Sequence, residues 1–233
     1  MTGKQFISVW TREPRPAKSS GLSRGEIVKA AVKLLDAEGL DGLSMRKLGA
    51  ELGAGATSLY WYVANKDELL ELVYDEFWSG MTMPDPTEVS WRHTIRTFAH
   101  ELRRLILRHP WATGLIGRTP ALGPNAMGIT DALRRAFKHA GFSGLEIDYA
   151  NTALTAYIFG MTIPEVAWNE AMAANAFDQA SMTEAVAKAA SGHPDLLEAI
   201  QQAEDTDPVQ ARDMAFSFGL ASMIDGLERR LMT

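Results

Sequence analysis

Apolar residues recur along this chain with the spacing of α-helices, and the alternation typical of β-strands is nearly absent. One apolar face in the first such segment consists of Ile27, Ala31, Leu34 and Leu35. Ser23 and Glu26 have the spacing of a capping box, and Gly39 is placed to end the helix. The pattern therefore predicts a first helix over about residues 23–39.

Two short helices are predicted next, separated by a glycine-containing turn. The first begins at Ser44 and ends by Gly53, and the second reaches Tyr62. The apolar residues expected to pack on the first helix are Leu48, Leu52, Leu59 and Val63. A short helix, a turn and a second short helix are the layout of a helix-turn-helix, which places its second helix in the major groove of DNA.

Three consecutive aromatic residues, Tyr60, Trp61 and Tyr62, end this motif. They suit neither helical nor strand periodicity, since no single buried face accepts all three. We expect Tyr60 and Tyr62 to point away from the core and Trp61 to lie along its edge. At the C-terminal end of a recognition helix, such rings pack on sugars, thymine methyl groups and phosphate oxygens.

The rest of the chain continues the helical pattern. Further helices are predicted from Asn65 onward, from about Pro86 to Arg108, and over about residues 125–140, 145–173, 194–203 and 208–231. Residues 174–193 are poor in large apolar side chains, and we expect a mobile or loosely helical insert there. The predicted fold class is all-α, with a small head and a larger body.

Charge is divided unevenly between these two parts. Residues 1–66 carry ten Lys and Arg against six Asp and Glu, whereas residues 67–233 carry thirteen against twenty-three. A basic head suits contact with a polyanion, although chance clustering explains the same numbers. We expect residues 1–21, with Lys4, Arg12, Arg15 and Lys18, to form a flexible basic arm that enters the minor groove or remains a solvated tail.

Several classes of chemistry are excluded by residue content. The chain has no cysteine, which excludes disulfides, zinc fingers and thiol catalysis. His100 and Glu101 begin a metalloprotease-like motif, but Arg104 stands where the second histidine is needed. We therefore predict no catalytic residues, no metal and no cofactor. With no apolar run of spanning length and no secretory signal, we expect a cytoplasmic protein without membrane contact.

The helix-turn-helix segment resembles the tetracycline-repressor (TetR) family of bacterial transcriptional regulators. The residues that carry the resemblance read LSMRKLGAELG and then LYWYVANK, after a first helix ending AEGL. A weaker resemblance to the family's C-terminal domain continues through SWRHTIRTFAHELRRLILRHPW and GRTPALGPNA. Together, the two resemblances imply a three-helix helix-turn-helix DNA-binding domain at residues 22–66 and a helical ligand-binding and dimerisation domain at residues 67–233.

The resemblance also implies roles for individual residues at the DNA. Arg46 would read a base edge, while Thr57 and Ser58 would lie close to bases. Phosphate contacts would come from Tyr60 and Lys66, supported by Ser44, with Trp61 and Tyr62 beside them. Gly55 and Ala56 stand where tetracycline repressors carry an acidic residue and a base-reading glutamine, so we expect a different operator.

In the body, the resemblance implies a ligand cavity and a dimer interface. The predicted ligand-binding residues are Phe98, Leu102, Trp111, Asn151, Tyr157, Met161 and Trp168. The apolar stripe over residues 145–173 more commonly indicates core, but Asn151 and Tyr157 are polar groups that a core does not need. The predicted dimer interface contains Phe216, Leu220, Met223, Ile224 and Leu227, although an intramolecular core would produce the same apolar stripe. Where tetracycline repressors place the histidine and asparagine of the magnesium–tetracycline site, this chain has Thr82, Phe98 and either Leu115 or Ile116, which favours an apolar or aromatic effector that needs no metal.

Three functional hypotheses follow from these residues. The leading one is a repressor that binds palindromic double-stranded operator DNA as a homodimer and leaves it when a small effector binds. The second is a DNA-binding regulator without an effector, and the third is an all-α enzyme with an incidental helix-turn-helix. Loss of DNA binding on adding an effector separates the first two.

Overall fold

The computed structural model describes residues 8–12, 21–176, 178–204 and 206–232, and in these ranges it contains helices and turns without a β-strand. The predicted all-α fold is confirmed. The helices are α1 (Arg24–Gly42), α2 (Met45–Glu51), α3 (Ala56–Leu59), α4 (Lys66–Ser79), α5 (Trp91–Arg108), α6 (Pro124–Ala140), α7 (Leu145–Ala173), α8 (Gln179–Ala189), α9 (Pro194–Glu204) and α10 (Pro208–Arg230). Short 3₁₀ helices cover Pro110–Gly114 and Ala190–Gly192.

Polar caps fix where the first helices begin. Ser23 and Glu26 form the predicted capping box at the start of α1. Gly39 has φ +69°, which interrupts the regular helix at the predicted place. Ser44 caps α2 and Asn65 caps α4, each side chain accepting a backbone N–H three residues on.

Two predicted segments differ from the structure. Helix α5 begins at Trp91 rather than near Pro86, because Ser90 caps it by accepting the His93 N–H at 3.2 Å. The segment expected to be mobile or loosely helical contains the regular helix α8. Its N-cap is Asp178, whose side chain accepts the Ser181 N–H at 2.8 Å, so local capping offsets the scarcity of large apolar residues.

The chain divides into two compact units, Met1–Asn151 and Thr152–Thr233. In the first, α4 packs on α1 and α6, α5 packs on α6, and α1 also contacts the Pro110–Gly114 3₁₀ helix. Large buried side chains of this unit include Ile27, Leu35, Leu48, Leu69, Ile95, Phe98 and Phe137. The division lies far from the expected boundary at residues 66 and 67, because α1 packs on elements that follow the helix-turn-helix.

The second unit contains most of α7 together with α8, α9 and α10. The Tyr157 ring lies 5.5 Å from the Phe216 ring, and its hydroxyl donates to the Phe216 carbonyl at 2.7 Å. Arg212 and the buried Glu165 lie 3.5 Å apart as an ion pair. These contacts join α7 to α10.

Among the helices in the described part of the chain, none combines the length and the apolar character needed to cross a membrane.

Candidate functional site

The predicted helix-turn-helix is formed by α2, the turn after it and α3. Leu48, Leu59 and Val63 are fully buried beneath it, as predicted, whereas Leu52 is only half-buried. Gly49 permits the close approach of the turn, because a Cβ atom at this position would lie 2.7 Å from the Ala54 carbonyl oxygen. The sequence therefore holds α2 and α3 together through buried leucines and one position that excludes any side chain.

Two ion pairs connect the exposed sides of α1 and α2. Lys33 Nζ lies 2.6 Å from Glu51 Oε1, and Lys47 pairs with Glu38. Water screens such exposed pairs, so they contribute little to stability. The orientation of α2 therefore depends mainly on its buried apolar residues.

Most of the residues predicted to contact DNA have exposed side chains on this motif. The exposed residues are Arg46, Thr57, Ser58, Tyr60 and Trp61. Ser44 is half-buried, and its hydroxyl oxygen accepts the Lys47 N–H at 3.2 Å to cap α2. These five exposed residues present a guanidinium, two aliphatic hydroxyl groups and two aromatic rings, which are suited to contacts with phosphates and base edges.

The aromatic triplet lies on the turn after α3 rather than within a helix, since α3 ends at Leu59. Trp61 is 67% exposed and Tyr60 47%, whereas Tyr62 is half-buried. The expectation that Trp61 lies along the core and Tyr62 points away is wrong. The Tyr62 N–H donates to the Leu59 carbonyl, and this turn brings the Tyr62 hydroxyl close to Gly21.

Lys66 lies at the start of α4 and already has partners within the protein. Its Nζ donates to the Leu43 carbonyl at 2.8 Å and to the Leu40 carbonyl at 3.2 Å. A cation at these carbonyls stabilises the C-terminal end of α1. An ammonium group has three N–H donors, so two internal hydrogen bonds leave one for a phosphate oxygen.

The expected flexible arm is wrong for residues 8–12. Ser8 and Val9 are buried, and both donate hydrogen bonds to Glu71 on α4. Arg12 pairs with Glu68 of the same helix. Buried carboxylates fix this segment in place, which the polar composition of the arm did not indicate. Lys4, Arg15 and Lys18 lie outside the described residues.

Asp75, which is 4% exposed, joins α4 to the N-terminus of α6. Its carboxylate accepts the Ala126 N–H and the Asn125 Nδ2–H, each at 3.0 Å. A Cβ atom on Gly123 would lie 2.2 Å from the Asp75 carboxyl carbon, so the side chain fills the space before α6. A carboxylate at a helix N-terminus satisfies free N–H groups and complements the helix dipole.

A second connection joins α1 to the 3₁₀ helix after α5. Asp36 Oδ1 accepts the Trp111 indole N–H at 2.6 Å and lies 2.6 Å from His109 Nδ1. The Trp111 ring packs at 6.2 Å from the Phe77 ring of α4. In the same aromatic group, burial raises the pKa of Tyr74 to about 12, so its hydroxyl stays protonated at neutral pH.

The predicted ligand-binding residues occupy different environments. Phe98, Leu102 and Trp111 are buried within the first unit, and Asn151 is half-buried at its end. In the second unit, the Tyr157 hydroxyl is bonded to Phe216, while Met161 and Trp168 are each 37% exposed. The assignment of these residues to one ligand site stays a prediction.

The predicted dimer interface needs correction. Phe216, Leu220 and Ile224 are at most 1% exposed within the chain itself, whereas Met223 and Leu227 are half-buried. Phe216, Leu220 and Ile224 therefore belong to the intramolecular core, the alternative recognised from the sequence, while an interface role for Met223 and Leu227 stays a prediction. Another face of α10 carries Met214, 61% exposed, and Phe218, 77% exposed, and these side chains are available to a partner.

Sequence reasoning missed the buried acids of the first unit. Glu68, Glu71 and Asp75 share one face of α4, and each of them has a partner far away along the chain. Acidic residues on a helix face that also carries Leu72 would have indicated buried, paired carboxylates. Asp36 carries no such signal, because it lies on an exposed position of α1.

Two family models match this chain. The model "Bacterial regulatory proteins, tetR family" matches residues 27–73, and the model "Tetracyclin repressor-like, C-terminal domain" matches residues 83–231. Together they cover the helix-turn-helix and most of the remaining chain.

Individual proteins are similar over long stretches. An HTH-type transcriptional regulator of Saccharopolyspora erythraea is 40% identical over 162 residues, 69% of this chain and 69% of that protein. The HTH-type transcriptional repressor DrrR1 of Streptomyces coeruleorubidus is 33% identical over 94% of this chain and 80% of its own length. The crystal structure of ActR from Streptomyces coelicolor in complex with actinorhodin superposes with a TM-score of 0.75 at 27% identity, covering 91% of this chain and 99% of that chain.

Proposed function

Because this chain belongs to the tetR family of bacterial regulatory proteins, and is a transcriptional regulator rather than an enzyme, we propose that it is an effector-controlled repressor. It binds a palindromic operator in double-stranded DNA as a homodimer, and a small, largely apolar effector releases it. The observation that carries the proposal is the exposed group on the helix-turn-helix, in which Arg46, Thr57 and Tyr60 stand on a rigidly packed motif.

The DNA-binding surface is tested by separating base contacts from phosphate contacts. Arg46→Ala is expected to weaken operator binding by roughly 1–3 kcal/mol and to relax preference at one position in each half-site, because arginine reads base edges through bidentate hydrogen bonds. Lys66→Ala is expected to weaken binding to all DNA sequences similarly. It should also make the slope of log affinity against log salt shallower by about 0.9 per lost phosphate contact. Fluorescence anisotropy with matched and mismatched duplexes at several salt concentrations measures both.

Lys29→Ala serves as the matched control, since this exposed lysine of α1 has no proposed DNA role. Lys66→Ala should also lower the melting temperature slightly, because Lys66 bonds two carbonyls at the end of α1. If Arg46→Ala and Lys66→Ala reduced specificity equally, the assignment of base and phosphate roles would be wrong.

Helix α4 is the element through which we propose that effector and DNA are coupled. It begins at Lys66, directly after the helix-turn-helix, and Asp75 bonds it to α6. An effector changes DNA affinity only by binding the DNA-competent and incompetent states differently, and the effect is reciprocal. A shift of α6 therefore reaches the helix-turn-helix through α4.

We place the effector contact on the exposed apolar side chains of α7. Met161 and Trp168 share one side of this helix, and 37% of each residue is exposed, so an apolar compound can contact both side chains. Tyr157 is less suitable, because its hydroxyl is bonded to the Phe216 carbonyl. The complex of ActR with actinorhodin supports a ring-containing effector.

Trp168→Ala is expected to raise the effector concentration needed for operator release about tenfold or more, since a buried indole contact is worth about 2 kcal/mol. Binding to the operator without effector should stay within a few-fold of wild type. To measure operator release, actinorhodin and other ring compounds are titrated into the protein–operator complex. Met127→Ala, an exposed methionine of α6, is the control. A normal response of Trp168→Ala, or a strict need for Mg²⁺, would refute this placement.

A further inference from the structure

Residues 8–12, here called the docked segment, are attached to α4 before the chain enters α1. Ser8 is 1% exposed and Val9 7%, so both belong to the core of the first unit. The Ser8 hydroxyl and the Val9 N–H, at 3.2 Å, donate to the same oxygen of Glu71. The Trp10 and Thr11 N–H groups then donate back to Ser8, which closes the segment into a turn.

Arg12, the last residue of the docked segment, forms an ion pair with Glu68. Glu68 is 5% exposed, and its two oxygens have different partners. One oxygen accepts from Arg12, and the other accepts the Ala64 N–H at 2.9 Å. A single buried carboxylate thus joins the docked segment to the turn between α3 and α4.

That turn carries the aromatic residues proposed to meet DNA. Ala64 directly follows Val63, which is fully buried, while Tyr60 and Trp61 just before it are exposed. A buried carboxylate is stable only when it is paired, and removing one partner leaves an uncompensated charge. Without Arg12, Glu68 would reorient toward water and weaken its hydrogen bond to the Ala64 amide.

We infer that Arg12 is a positioning residue for operator binding, acting through Glu68 on the turn that holds Tyr60 and Trp61 rather than by touching DNA. The inference rests on the proposed DNA-binding function. It replaces the expectation that Arg12 belongs to an arm entering the minor groove. A guanidinium in an ion pair with a buried carboxylate is held against α4, and its charge is largely neutralised there.

The test compares Arg12→Gln with wild type on an operator that the wild-type protein selects from a random double-stranded library. We expect about a tenfold loss of affinity, within the range of measured couplings between contacting residues. The slope of log affinity against log salt should be unchanged, because no phosphate contact is lost. Arg96→Gln, which changes an exposed arginine of α5, should change neither quantity.

A double-mutant cycle identifies the path of the effect. Glu68→Gln removes the charge but keeps an amide oxygen for the Ala64 N–H. In the Glu68→Gln background, Arg12→Gln should lower operator affinity at most about twofold, because the charged partner through which Arg12 acts is gone. If Arg12→Gln still lowered operator affinity tenfold in the Glu68→Gln background, and the slope of log affinity against log salt became shallower by about 0.9 per phosphate contact, Arg12 would be a DNA contact. That result would overturn the inference.

Amide hydrogen exchange provides a readout that does not depend on DNA. In the free protein, Arg12→Gln should speed exchange at the Ala64 amide about tenfold or more, while amides of the α5 core remain protected. Unchanged exchange at Ala64 would overturn the inference even if affinity fell. If wild-type protein selected no operator, the proposed function would fail, and the exchange result would still decide whether Arg12 holds this turn.

Discussion

Replacing Leu220 with aspartate is expected to unfold the second unit, whereas replacing Phe218 with aspartate is expected to yield a folded monomer. Both residues lie on α10 and differ by half a turn, but Leu220 is 1% exposed and Phe218 is 77% exposed. A carboxylate at position 220 would be buried without a partner, at a cost of roughly 4 kcal/mol or more. The same group at position 218 faces water in the isolated chain.

Phe218→Asp is expected to weaken homodimer formation rather than folding of the chain. An exposed phenylalanine beside Met214 suits the centre of a homodimer interface, where a charge would be desolvated against its symmetry mate. Loss of the dimer should weaken operator binding strongly, because a monomer contacts one half-site. Sedimentation velocity and thermal unfolding by circular dichroism separate the two outcomes.

Ser217→Asp is the matched control, since it places the same charge on an exposed position at the flank of α10. It should remain dimeric and stable. A folded dimer of Phe218→Asp would move the interface to another face, and a stable, folded Leu220→Asp protein would contradict the burial of that side chain.

The α10 stripe illustrates what periodicity can and cannot predict. The spacing of Phe216, Leu220 and Ile224 identifies one apolar face, and all three are buried. Periodicity does not indicate whether such a face packs within its own chain or against a second copy, since both remove the same side chains from water. The interface assignment therefore failed at these residues although the helix was predicted correctly.

Local signals were the most reliable part of the sequence. The capping box of α1 and the bounds of α7 depend on residues near one another in the chain, and both agree with the structure. The orientation of Trp61 and the partners of Lys66 depend on how the turn after α3 folds back toward the end of α1. The attachment of residues 8–12 depends on Glu71, more than fifty residues away. Such partners cannot be read from spacing.

Asp75→Ala is expected to lower the free energy of unfolding by about 2–4 kcal/mol and to weaken communication between effector and operator. The change removes the acceptor for the Asn125 side chain and for the Ala126 N–H, and the buried Ala126 N–H is left unsatisfied at the start of α6. Glu76→Ala is the control, because this neighbouring acid is only half-buried. Denaturant unfolding of the two variants measures the difference.

The effect on communication follows from the position of Asp75 between two helices. If α6 moves when effector binds, α4 follows only while the carboxylate holds the N-terminus of α6. The ratio of effector affinities with and without operator measures this coupling, which is typically 5- to about 150-fold in allosteric proteins. In Asp75→Asn, which keeps the shape and one acceptor oxygen, the ratio should fall several-fold while effector binding to the free protein changes little. An unchanged ratio in Asp75→Asn, with wild-type stability in Asp75→Ala, would show that α4 and α6 are held together by their apolar contacts alone.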